Sequence, residues 1–112
     1  MSPALAYVIL LIAAALEAGG DAFVRAGLRQ DQAGVRVGLF VAGAATLFAY
    51  GLVVNTPAWD FGKLLGVYVS LFFIVAQLVN FLVFSTRPDG ATLAGGALIV
   101  LGGLVVAFVR IG

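Results

Sequence analysis

The sequence predicts an all-α membrane protein, four transmembrane helices folded as an antiparallel bundle. Three observations carry this. The chain has 112 residues, of which 63% are hydrophobic and only 10% charged. Its mean hydropathy is +1.19. Its six basic and five acidic residues collect at a few points between long apolar runs. A soluble domain is nearer half apolar with about a quarter of its residues charged. Four spans of ~20 residues use roughly 80 residues, so only tight loops and short tails remain and the chain is expected to be one domain, residues 1–112.

The first span is expected over residues 4–24, ending where Arg25, Arg29, Gln30, Asp31 and Gln32 begin a polar loop. The second, residues 37–54, carries no charge and stops at Asn55-Thr56-Pro57, because proline lacks an N–H donor and disfavours helix in the residue before it. Trp59 then stands where an interfacial aromatic anchor belongs. The third, residues 63–84, closes on Ser85-Thr86-Arg87-Pro88-Asp89-Gly90, a turn signal. The fourth fills residues 91–109, with Arg110 at its end. Each run is far longer than the ~10 residues of a barrel strand, so the backbone is satisfied internally as helix. A secretory signal is not expected at the start, since no positive n-region precedes the apolar run and Glu17 interrupts it.

Short loops make successive helices antiparallel neighbours. The loops after the first and third spans then carry Arg25, Arg29, Arg36 and Arg87, against Lys63, Arg110 and the terminal amine on the other side. The margin of one positive charge places the first pair of loops in the cytoplasm and leaves insertion in both orientations open. Cysteine and histidine are absent, which removes thiol and imidazole chemistry and nearly all zinc sites. No catalytic constellation, cofactor site or metal site is predicted, and the chain is not expected to be an enzyme. A net charge of +1 without a basic run gives nucleic acid no grip.

Glu17 is the outstanding residue. An acidic side chain at the centre of a membrane helix costs about 2.5 to 3.5 kcal/mol on insertion scales, so it needs a reason. A buried carboxylate suits a group that holds a proton in one state and a cation in another; the competing explanation is a structural hydrogen bond or ion pair. Asp21 and Arg25 follow at steps of four on the same helix face. Asp21 is therefore either a second cavity-facing acid or simply neutralised by Arg25. On the third span Lys63, Ser70 and Gln77 recur every seven residues, and Asn80 extends that polar face. This stripe either lines a pathway opposite Glu17 or makes interhelical hydrogen bonds worth ~0.6 to 2 kcal/mol each. Lys63 either snorkels to the interface or turns inward to neutralise Glu17 or Asp21. On the fourth span Gly95, Gly96, Gly102 and Gly103 offer a small-residue surface suited to joining a second subunit.

With these residues in view, the chain resembles the small multidrug resistance family, and the related YnfA-type proteins and larger drug/metabolite transporters. Leu16-Glu17-Ala18-Gly19-Gly20 looks like that family's first-helix acid followed by glycine, and Arg25 like the basic residue that closes its first helix. Thr56-Pro57 resembles its proline turn, Arg87-Pro88-Asp89 its Arg-x-Asp loop, and Gly95/Gly102 with Gly96/Gly103 its fourth-helix dimer seam. Gly66-Val67-Tyr68-Val69 is close to a YnfA-type tetrapeptide. The resemblance implies a proton-coupled antiporter of the cell inner membrane, an antiparallel homodimer in which Glu17 of each protomer is the site where protons and a small cationic or polar solute compete. The stretch from Asp60 to Gly66 carries no tryptophan and adds Lys63, so an aromatic box for flat cations is not expected from it. Two other readings stay open at this point, a non-transporting assembly partner and one half of a heterodimeric lipid or metabolite carrier.

Overall fold

The computed structural model describes residues 1–108; Arg110 and the last residue of the fourth expected span lie outside the described residues. The chain folds into α1 (Pro3–Leu28), α2 (Ala33–Val54), α3 (Phe61–Phe84) and α4 (Gly90–Phe108), each long and apolar enough to cross a membrane. No strand occurs among the described residues.

Local chemistry sets the helix ends. Ser2 caps α1 by accepting the Leu5 N–H at 3.1 Å, with proline in the first turn where a missing donor costs nothing. The helix then continues past its apolar run to Leu28, because the loop is tight and Gly27 packs against Phe40 of α2. Asp60 caps α3 by accepting the Lys63 N–H at 3.0 Å. At the far end of α3, Ser85 adopts a left-handed conformation (φ 54°), and the Thr86 N–H closes the helix on the Asn80 carbonyl at 3.0 Å. A side chain in that conformation is strained by about 1 kcal/mol. Ser85→Gly is expected to raise stability by up to that amount, read as a higher melting temperature in detergent.

Asp89 precedes α4 and accepts the Thr92 N–H at 2.7 Å. That bond, together with the Thr92 side chain, holds the Asp89 carboxyl below its ordinary range. The folded protein prefers the ionised carboxylate, so the cap's contribution is present at neutral pH and is lost as pH falls through the bottom of the carboxylate range. Asp89→Asn, which can still accept the bond, is expected to remove this acid-side dependence while keeping α4 capped, and Asp89→Ala to fray its first turn in amide hydrogen exchange.

Packing follows an unequal pattern. Among the described residues, backbone contacts join α1 to α2, α1 to α3, and α3 to α4, and no other pair. By these contacts the order of the helices is α2–α1–α3–α4, and the extents of the molecule are 56 × 34 × 19 Å. The α2–α3 connection crosses the start of α1, where Trp59 meets Tyr7 edge-on at 5.6 Å, and Phe108 of α4 also reaches Tyr7 at 6.4 Å. At the opposite end Arg25 of α1 lies over Phe84 of α3. Successive helices are thus antiparallel, and α1 runs parallel to α3.

Glycines make the close approaches. A Cβ on Gly20 would meet Leu47, and one on Gly43 would meet Val24 and the Gly20 carbonyl, which seats α1 on α2. The core between α1 and α3 gathers Leu10, Ala13, Ala14, Leu64, Val67 and Tyr68, with Val54 from α2. Outward surfaces stay apolar, with Phe48, Leu82 and Leu98 at least 71% exposed, as expected for side chains that meet lipid.

Candidate functional site

Glu17 lies in the middle of α1, half-buried. Tyr68 of α3, only 3% exposed, donates its hydroxyl to Glu17 Oε1 at 3.1 Å. Tyr50 of α2 lies beside Tyr68. Its ring lies 5.7 Å from that of Tyr68, and Phe72 stacks on the other side of Tyr68 at 6.0 Å. Since α1 separates α2 from α3, the two tyrosines meet across one face of α1. Glu17 is on that face. The result is one carboxylate walled by aromatic rings from both neighbouring helices, with no buried side-chain polar atom left unpaired among the described residues.

This constellation suits reversible binding of a cation. A carboxylate supplies charge, aromatic faces attract ammonium groups, and a phenol hydroxyl satisfies the acid when nothing is bound. Removing that hydroxyl in Tyr68→Phe leaves one carboxylate oxygen without its donor and is expected to cost about 1–3 kcal/mol of stability, measured by thermal unfolding. The sequence pointed to Glu17 but missed its tyrosines. Phe72 stands one turn after Tyr68 on one helix face, and that spacing is the signal that was available.

A second feature lies one turn further along α1. A cleft of about 560 Å³ separates the last turns of α1 and α3, lined by Asp21, Arg25, Gln77, Asn80, Phe84 and Thr86 among others. Among the described residues no ion pair joins Asp21 to Arg25, whose guanidinium sits 5.5 Å from the Phe84 ring centroid. No group of three or more metal-ligating side chains occurs among the described residues.

Comparison with known proteins gives this geometry a context. The chain is 36% identical over 103 residues to a UPF0060 membrane protein of Frankia casuarinae, covering 91% of each. The chain belongs to the UPF0060 membrane protein family. A UPF0060 membrane protein of Rhodococcus erythropolis is 32% identical over 111 residues, 98% of this chain and 100% of the relative. One of Saccharopolyspora erythraea is 30% identical over 102 residues. No protein-family model and no solved structure matches the chain. Relatives named as membrane proteins, together with four helices of spanning length, make this UPF0060 chain a multi-pass membrane protein.

The remaining expected site residues of this UPF0060 protein fall in three places. Asp21, Gln77 and Asn80 line the cleft. Lys63 stays in the first turn of α3, exposed, its ammonium 5.9 Å from the Trp59 ring centroid. It stands more than a turn of helix before Tyr68, at the start of α3, and it is not part of the Glu17 cluster. Ser70 is buried in the α3–α4 seam, where its hydroxyl donates to the Ile99 carbonyl at 2.7 Å. The stripe Lys63–Ser70–Gln77 therefore does not form one pathway, because α3 has α4 against it at Ser70 and the α1 cleft against it at Gln77. The glycine pairs of α4 divide similarly. Gly96 and Gly103 are buried within the protomer against Phe73 and Ser70, whereas a Cβ on Gly95 or Gly102 would meet only open space.

Proposed function

We propose that this protein is a subunit of a small transporter of the small multidrug resistance-like or YnfA type, within the drug/metabolite transporter superfamily. It exchanges protons for a small cationic or polar solute by alternating access, and Glu17 is the group for which the two compete. The observation that carries the reading is the Glu17 carboxylate held by the Tyr68 hydroxyl at 3.1 Å between aromatic rings in the middle of a membrane helix. Mutually exclusive occupancy follows from one carboxylate serving both ligands. Acid–base exchange is the whole chemistry, and no bond in the solute changes.

The working unit of this reading is a homodimer in the cell inner membrane. Support comes from the open Gly95/Gly102 face of α4. Gly95 and Gly102 are seven residues apart and share one side of the helix. Gly102→Leu is expected to leave the protomer's melting behaviour unchanged while shifting crosslinking in bilayers from dimer to monomer. An unchanged dimer would favour a seam elsewhere. Transport itself is tested in proteoliposomes with an imposed pH gradient, following uptake of small ammonium solutes. Gradient-dependent uptake is the expected result, and its absence across that class would favour a non-transporting assembly partner.

A further inference from the structure

We propose that the cleft between the last turns of α1 and α3 is a separate binding site for a small zwitterion, its ammonium group on Asp21 and its carboxylate on Arg25. The volume of about 560 Å³ falls in the range of small-molecule sites. Its rim presents two opposite charges one helical turn apart, about 6 Å along the axis. They are not joined to each other, since Arg25 lies over Phe84. Between them Gln77 and Asn80 supply amides that both donate and accept. Phe72 and Ala76 give the cleft an apolar wall.

The charge balance selects the ligand. A cation alone would be opposed by Arg25 and an anion alone by Asp21, and either would add a net charge between two membrane helices, where uncompensated charge is costly. A solute carrying both groups leaves the filled site neutral and satisfies each side chain. Glu17 is not in the cleft lining. Phe72 links the two places, because it lines the cleft and stacks on Tyr68. That the cleft binds zwitterions does not rest on the transport reading above.

The chain has no cysteine, so Ala76→Cys provides a single thiol in the cleft wall, and its rate of modification by N-ethylmaleimide in bilayers reports occupancy. Glycine and glycine betaine at about 10 mM are expected to slow modification roughly tenfold, the protection given by a site with Kd of about 1 mM. Tetramethylammonium and acetate, which each carry one of the two charges, should slow it less than about twofold at the same concentration, corresponding to Kd above about 10 mM. Asp21→Asn and Arg25→Gln should each abolish protection, and the exchanged pair Asp21→Arg with Arg25→Asp should restore it in a protein of unchanged melting behaviour. Glu17→Gln should keep protection while losing exchange. The proposal is overturned if no zwitterion protects, if tetramethylammonium or acetate protects equally, if Arg25→Gln is without effect, or if Glu17→Gln removes protection. Protection that persists in a protein without any measurable flux would sustain the cleft and refute only the transport reading.

Discussion

Glu17→Gln is expected to reduce proton-coupled solute exchange to the level of protein-free liposomes while leaving the protein folded. Glutamine keeps the size of the side chain, and its amide oxygen can still accept the Tyr68 hydroxyl that Glu17 Oε1 accepts at 3.1 Å. The packing of α1 against α3 is therefore preserved, and the stability change should stay within about 1 kcal/mol. What glutamine cannot do is release or take up a proton, or present a full negative charge to an ammonium group. Flux and melting temperature measured on the same preparation separate the two effects. Unchanged flux would remove Glu17 from the mechanism, and a collapse of stability with it would point to a structural role.

The second large effect is expected in the seam between α3 and α4. A Cβ on Gly103 would run into the Ser70 hydroxyl and lie 2.6 Å from the Ser70 Cβ. Ser70 is short and already fixed by its bond to the Ile99 carbonyl at 2.7 Å, so it cannot swing away as a long side chain would. Gly103→Val should therefore force α4 off α3 and cost about 1–3 kcal/mol or more. Since α3 is the only helix whose backbone contacts α4 among the described residues, the loss should appear as selective protease sensitivity of the α3–α4 loop. The paired change Ser70→Gly with Gly103→Ala moves the small residue to the other helix and should recover part of the loss, a non-additivity characteristic of direct contact. Gly102→Val, one residue away, faces open space and should leave the seam intact.

The spans were readable because lipid imposes a length and an apolarity that no loop imitates. Their ends were less so. Helix α1 runs on through Arg25 to Leu28, because backbone hydrogen bonding does not stop where apolar side chains stop. Glu17 was readable because a carboxylate there is costly. Its partners were hidden because a tyrosine in an apolar run looks the same whether it faces lipid, core or a site. Tyr50 and Tyr68 become partners only once α1 is known to lie between α2 and α3, and sequential hairpins alone do not give that order. Ser70 shows the converse: a seven-residue spacing gives a shared face, but not which helix meets that face at each level.

In the proposed mechanism one carboxylate changes protonation when solute binds. Glu17 is the only glutamate in the chain, so selective carboxyl labelling yields one glutamate signal in ¹³C spectra of the protein in bilayers. At a pH where the free protein carries this carboxyl as the acid, adding a saturating ammonium solute should move the signal to the carboxylate position, with release of one proton per site to a weakly buffered medium. The same solute should release none from Glu17→Gln. A signal that stays put on binding, with no proton released, would rule out proton–solute competition at Glu17.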